Sequence, residues 1–243
     1  ELLAPLTAVK GYADLAYTVL GEAHPQASQF IEFATHSAEE LNRMIIQMLD
    51  VTEMARGDFA ITPVPVDMPA LIQEAVNDYE RQLRDKGHDL HLEVEPGETC
   101  ICDRERVKWA LQHLIRNACD YTLPPKGEIT ITAGIENQHY VIRVQDNGVG
   151  IGPRDLPRIF EQFFRGYPVA KDGTVIDVRG TGLGLFVVDQ VVQAHGGQVT
   201  VASTPGEGSL FTVWLPLDAE AKQRSMAAAA LSSGQQGSNI PDM

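Results

Sequence analysis

Two pairs of segments, residues 128–135 with 140–145 and residues 198–203 with 209–215, read as strands. Each pair is joined by a connection too short for anything but a hairpin. Strands in hairpins exclude the regular strand–helix–strand alternation of a doubly wound sheet. Helical patterns precede and separate them. Asp67 can cap a helix that carries Leu71, Ile72, Ala75, Val76, Tyr79 and Leu83 on one face. Asp103 can cap another holding Val107, Leu111, Leu114, Ile115 and Ala118, and residues 183–195 read as a third. A further strand is expected over 89–95, with Leu90, Leu92 and Val94 on one side, and a turn at Pro205-Gly206 joins the last two strands. The expected fold class is α+β: an α/β sandwich with an antiparallel-rich sheet and helices on one face.

A different period governs the first fifty-odd residues. Leu2, Leu6, Val9, Ala13, Ala16 and Leu20 keep a four-three spacing, and a second seam runs Phe30, Ala34, Ser37, Leu41, Met44, Met48, Val51 and Ala55. Such seams need a partner. A helical hairpin of this kind completes a four-helix bundle with a second copy, whereas packing on its own chain is the plainer alternative. Pro5 either kinks the first helix or lies in its first turn. Residues 1–56 are therefore read as a dimerisation hairpin, 57–66 as a linker with Pro63 and Pro65, and 67–217 as a second domain. Residues 218–243, rich in Ala, Ser, Gly and Gln, are expected to be disordered.

The formal net charge of -14 argues against nucleic acid or an anionic membrane surface and favours a basic protein partner. Three cysteines, two of them Cys100 and Cys102 one residue apart on an expected strand, make a poor zinc site. Reduced core thiols in a cytoplasmic setting fit better. No apolar run is long enough to span a bilayer and no signal peptide opens the chain. The reading is therefore cytoplasmic, with a parent protein that can still be membrane-anchored.

Three short motifs carry chemistry. Asp146, ending a strand before Asn147-Gly148-Val149-Gly150, can accept from the exocyclic amine of adenine, and Gly148 and Gly150 let the backbone bend beneath a base. A plain Asp-Asn-Gly turn is the bland reading of the same residues. Gly180-Thr181-Gly182-Leu183-Gly184-Leu185 opens a helix, where unpaired N–H groups and the helix dipole attract phosphate, and Arg179 adds a cation. Asn117 offers an amide oxygen suited to Mg²⁺, although an isolated helical Asn is more often solvent-facing. Together, in this order, they read as one ATP site.

These motifs resemble the N, G1 and G2 boxes of the sensor histidine kinases, members of the gyrase/chaperone/histidine-kinase ATPase superfamily. Residues 158–166, RIFEQFFRG, resemble the F box of the same family. The resemblance implies an ATP-binding domain in which Asp146 holds adenine and Asn117 holds Mg²⁺. It implies that Tyr121, Gly148, Gly150, Arg179, Gly180, Thr181, Gly182, Leu183, Gly184 and Leu185 bind the nucleotide, with residues 152–179 as a mobile lid. Residues 1–7, ELLAPLT, are similar to the family's H box. There the phosphoacceptor histidine directly precedes the acidic residue, so on this alignment it precedes Glu1, and Glu1 would receive the histidine proton. Autophosphorylation is thus expected of a chain extended upstream and not of this one. His24, His36, His88, His91, His139 and His195 lie elsewhere, and His113, where the family more often has Asn, either touches metal or phosphate or packs.

Three further residues depart from the family pattern. Leu3 and Ala4 replace the usual Arg and Thr or Asn, which puts phosphatase activity toward the partner in doubt, and Asp120 replaces a basic residue expected near phosphate. The implied function is an ATP-dependent protein histidine kinase core, a homodimer that passes its phosphoryl group to the aspartate of a response-regulator receiver domain. A kinase-like ATP-binding signalling module that transfers nothing is the alternative.

Overall fold

The structure, a computed structural model, describes residues 59–123, 127–169 and 180–217 continuously, and elsewhere isolated positions. The chain divides into two compact units, Glu1–Phe59 and Ala60–Met243. In the first, the described residues 9, 11–14, 16–18, 31, 34, 35, 38, 45 and 52 are all helical. Glu1, Pro5, the pairing of the hairpin and the 218–243 tail lie outside the described residues.

The second unit runs β1 (Val64–Asp67), α1 (Met68–Asn77), α2 (Glu80–Lys86), β2 (His88–Val94), β3 (Thr99–Cys102), α3 (Arg104–Tyr121), β4 (Gly127–Glu136), β5 (His139–Asp146), α4 (Gly184–Ala194), β6 (Gln198–Thr204) and β7 (Gly208–Pro216). Five strands form one sheet in the order β2-β4-β5-β7-β6. Only the β2–β4 pair is parallel; β4–β5, β5–β7 and β6–β7 are antiparallel. The turn between β4 and β5 puts Asn137 at φ 49° and Gln138 at φ 63°. Two left-handed residues give the turn a twist that matches a two-residue hairpin.

Helices α3 and α4 cover one face of this sheet and α1 packs on α3. Val107, Leu111 and Leu114 of α3 and Val191 and Val192 of α4 meet Ile142 of β5 and Val213 and Leu215 of β7. All eight are buried, and each such side chain contributes about 1.5–3 kcal/mol by leaving water. The period-two alternation leaves the opposite face to Thr130, Thr132, Arg143, Thr200 and Thr212. Sandwich, antiparallel bias and one-sided helices thus follow the expectation.

Two local readings are corrected. The stretch read as linker ends in a strand: Val64–Asp67 pairs antiparallel with β3, Pro65 opposite Ile101. Proline is tolerated because β1 is an edge strand with one neighbour. The helix expected to run from Asp67 through Leu83 is two helices, α1 and α2, broken at Asp78 and Tyr79. Asp78 is held at the break from outside: its Oδ2 accepts from Gln112 Nε2 at 2.7 Å and lies 3.2 Å from Lys108 Nζ. All three cysteines are buried free thiols, with Cys102 Sγ 3.9 Å from Met68 Sδ. No described helix is long and apolar enough to cross a membrane.

Candidate nucleotide site

Helix α3 is the spine of the site, and its start is fixed twice. Asp103 Oδ1 caps it by accepting from Arg106 N at 3.1 Å, and Oδ2 accepts from Thr62 N at 2.9 Å. Buried His195, just past α4, accepts from Asp103 N through Nε2 at 2.9 Å, with its Nδ1 2.7 Å from Val191 O. The second contact requires the Nδ1–H tautomer.

Tyr121 stands at the far end of α3, and its carbonyl accepts from Val149 N at 3.1 Å. Two turns back, the turn that opens α4 lies against His113: a side-chain carbon on Gly184 would stand 3.0 Å from His113 Nδ1. Tyr121 and His113 are about 12 Å apart along the helix axis at the standard rise. Asn117, half-buried, stands midway. A base-binding end and a phosphate-binding end are therefore separated along one helix.

At the first end, β5 finishes on Asp146, which is only 8% exposed. Its Oδ1 accepts from Gly148 N at 2.9 Å and from Ser209 N at 3.3 Å. Oδ2 is left with unfilled acceptor capacity. Burial pushes the carboxyl up to about 6, against the two N–H donors that favour the anion. Gly148 cannot carry a side chain: its Cβ would overlap Tyr121 O and stand 2.8 Å from Asp146 Oδ1. Asn147 locks the loop to β4, donating N–H to Glu128 O at 3.2 Å and accepting from Glu128 N at 2.9 Å. Gly150 follows at φ +68°, beside the carbonyl of Thr204.

Ser203 and Ser209, which the sequence reading missed, complete this end. Ser203 Oγ donates to Gly208 O at 2.7 Å and accepts from Ile151 N at 2.8 Å. Its single proton is thereby used, so the 3.0 Å contact with Ser209 Oγ must be donated by Ser209.

At the second end, α4 begins after Leu183 with no side chain capping it, and its first helical bond runs from Val187 N to Leu183 O. The N–H groups of the first turn are free to meet an anion. Thr181 Oγ1 instead accepts from Leu183 N at 3.3 Å within the glycine turn. Gly182, at φ +72°, lies where a Cβ would be 2.7 Å from Phe164 O and from Phe163 C. Residues 163–164 of the expected F box therefore rest on the glycine turn. Phe163 has φ 60° and is 60% exposed, a strained conformation for a bulky residue. Gly180 and Leu185 belong to the same turn, whereas Arg179 lies outside the described residues.

His113 is buried, its ring 5.4 Å from Trp109 at 53°, and its Nε2 has no partner. Burial, with a smaller push from the Arg116 charge, lowers it to about 4, so it is neutral near pH 7. Asp120 accepts from Lys86 Nζ at 2.8 Å and Gln82 Nε2 at 3.1 Å on Oδ1, and from Arg116 Nε at 3.4 Å on Oδ2. Tyr121 is pushed up by burial, opposed by Arg165 and Arg116. Among the described residues no group of three or more His, Cys, Asp or Glu side chains could hold a metal ion.

The family described as histidine kinase-, DNA gyrase B-, and HSP90-like ATPase matches residues 102–219, which spans α3, the glycine turns and the last strand. The phosphate regulon sensor protein PhoR of Pseudomonas aeruginosa is 28% identical over 212 residues, 87% of this chain and 47% of that protein. The sensor protein SrrB of Staphylococcus aureus is 26% identical over 216 residues, 89% of this chain and 36% of its own. The chain thus spans about half or less of the curated relatives it matches. Among solved structures, the mycobacterial sensor histidine kinase MprB is 29% identical with a TM-score of 0.53, covering 64% of this chain and 97% of that one. Full-length ShkA, solved in complex with AMPPNP, shares the fold at a TM-score of 0.71 and 24% identity, over 89% of this chain and 44% of its own. Residues 102–219 thus match the ATPase family that histidine kinases share with DNA gyrase B and HSP90, and over most of its length the chain is similar to two-component sensor proteins.

Proposed function

We propose that this domain binds ATP with Mg²⁺ and that the whole protein is an autophosphorylating histidine kinase. The observation that carries the reading is the two-ended spine. Asp146 and Gly148 gather at Tyr121, the uncapped α4 turn gathers at His113, and Asn117 stands between them. ShkA, of the same fold, was solved with AMPPNP.

The residues fit both groups. Asp146 Oδ2 can accept from the adenine amine, and Gly148 keeps the floor beneath the base free of side chain. The N–H groups of Gly184, Leu185 and Phe186 fit phosphate oxygens, with Gly180, Thr181, Gly182 and Leu183 shaping the approach. Arg179 is proposed as a further phosphate contact. The orphaned Nε2 of neutral His113 would gain a partner when the site fills. A single amide oxygen, from Asn117, suits Mg²⁺, which keeps its waters and phosphate oxygens as remaining ligands. Bound there, the ion would neutralise charge on the transferring phosphoryl group. The Phe163–Gly182 contact joins the proposed lid, residues 152–179, to the phosphate turn.

In the full-length protein the acceptor is a histidine directly before Glu1, with Glu1 taking its proton. The phosphoryl group then passes to an aspartate of a response-regulator receiver domain. Dimerisation through the first unit is supported by Val9, on the heptad seam and 53% exposed in a single chain. The ATP-dependent domain works in the cytoplasm, whatever anchors the rest.

A chain extended upstream and given γ-labelled ATP is expected to acquire acid-labile label. Asn117→Ala should cut the labelling rate by roughly 100-fold, as loss of about 2.7 kcal/mol of transition-state stabilisation would. Label undiminished in that variant would remove Mg²⁺ from Asn117, and absence of acid-labile label would remove the transfer.

A further inference from the structure

The proposed phosphate end lies in a chain of net charge -14, yet a triphosphate needs a local cation. Positions 113, 116, 117, 120 and 121 of α3 lie along one helical surface by their three- and four-residue spacing. Within that surface Asp120 faces two cations, Lys86 and Arg116, so the cluster keeps one surplus positive charge. The two cations are not equally fastened. Lys86 Nζ donates to Asp120 Oδ1 at 2.8 Å and also to Cys119 O at 3.0 Å. Arg116 donates only through Nε, at 3.4 Å, and no described residue accepts from its terminal nitrogens. That fork is the part of arginine suited to phosphate. The guanidinium is close enough to act electrostatically on both His113 and Tyr121, which mark the two ends of the pocket.

We infer that Arg116 is a phosphate-binding residue of this pocket, resting on Asp120 when the site is empty and turning its terminal nitrogens to the nucleotide phosphates when it fills. The assignment rests on the nucleotide reading above. Asp120 is then the competing counter-ion, and Lys86, tied to the Cys119 carbonyl, stays behind to neutralise it. Asp120 thereby tunes how much positive charge the phosphates meet, while the base end is untouched.

Calorimetric titration of the chain with ATP·Mg²⁺ and, separately, with adenosine tests this. Arg116→Gln should weaken ATP about 10- to 100-fold, the range of one lost charge-assisted bond, and leave adenosine unchanged. Arg116→Lys should recover part of the loss. Asp120→Asn should tighten ATP about 3- to 10-fold, again without effect on adenosine, because the competitor and its charge are removed together. Equal ATP affinity in wild type and Arg116→Gln, with adenosine binding retained, would overturn the assignment alone. So would a weaker ATP complex in Asp120→Asn, or a loss carried by Arg165→Gln in place of Arg116→Gln. Binding of neither ligand by the wild-type chain would overturn the nucleotide reading and this assignment with it.

Discussion

Asp146→Asn is expected to make the protein more stable and its nucleotide site almost useless. The asparagine oxygen can still accept from Gly148 N and Ser209 N, so the loop keeps its shape. What disappears is a buried charge. The Asp146 carboxyl titrates near 6 in the folded chain against an ordinary 3.8, so between those values the folded state binds more protons than the unfolded one. Stability therefore falls as pH rises through that window, and the full penalty, about 3 kcal/mol, persists above pH ~6. Removing it should raise Tm by roughly 5–10 °C at pH 7–8 for a chain of this size. The gain should vanish near pH 4, where the wild-type carboxyl is already protonated. Binding moves the other way. The free atom of the side chain becomes an NH₂ donor facing the adenine NH₂, so ATP affinity should fall about 100-fold or more. Wild-type affinity should weaken below pH ~6 as the carboxylate is lost, while the variant should lack that dependence. Thermal melts across pH 4–8 and calorimetry check both halves; an unchanged melting point at pH 8, or unchanged ATP affinity, contradicts the account. The trade of stability for function belongs at a site where a charge is held dry in order to recognise something.

The second large effect is Gly208→Ala. Gly208 starts β7 at φ +109°, and a Cβ there would overlap the carbonyl of Asp146 and lie 2.8 Å from Asn147 Cα. Backbone strain alone costs about 1–3 kcal/mol in such a conformation. The overlap adds to it, because β5 and β7 are paired there, Asp146 opposite Ser209. A total near 3–5 kcal/mol is expected, read as a lower denaturant midpoint. The control is Gly97→Ala, at φ +77° with nothing within 4 Å of its Cβ, for which about 1 kcal/mol is expected. Equal costs at the two glycines would show that the close approach of β7 to Asp146 is not as described. Nucleotide binding should suffer at position 208 only.

The hairpin sheet was legible because its signal is local: apolar, strand-forming runs and connections too short for a crossover. Strand β1 was not, because Pro63 and Pro65 mark a linker unless the edge position opposite β3 is known. The break between α1 and α2 was hidden for a similar reason. Val76, Tyr79 and Leu83 continue one apolar face, while the groups that hold Asp78 at the break, Gln112 and Lys108, come from α3. The site divides in the same way. Asp146, Gly148 and the glycine turn before α4 announce themselves, since each asks for a backbone conformation or a charge that few other roles need. Ser203 and Ser209 sit on strands where a serine at an alternating position reads as solvent face; only the pairing of β6 with β7 puts their hydroxyls 3.0 Å apart. Asp120 was visible as an acidic residue where a base was expected, but its partners Lys86 and Gln82 belong to α2, more than thirty positions away. Glu1 and Arg179 lie outside the described residues and stand as proposals.

The central claim is that Asp146 makes this an adenine site, and parallel calorimetric titrations with ATP·Mg²⁺ and GTP·Mg²⁺ test it most directly. The carboxylate proposed to accept from the adenine amine would face the guanine carbonyl oxygen, acceptor against acceptor. ATP is predicted to bind about 100-fold or more tightly than GTP. In Asp146→Asn that preference should collapse, because the amide can donate to guanine. Equal affinities for ATP and GTP in the wild-type chain, or a preference that survives unchanged in Asp146→Asn, would contradict it.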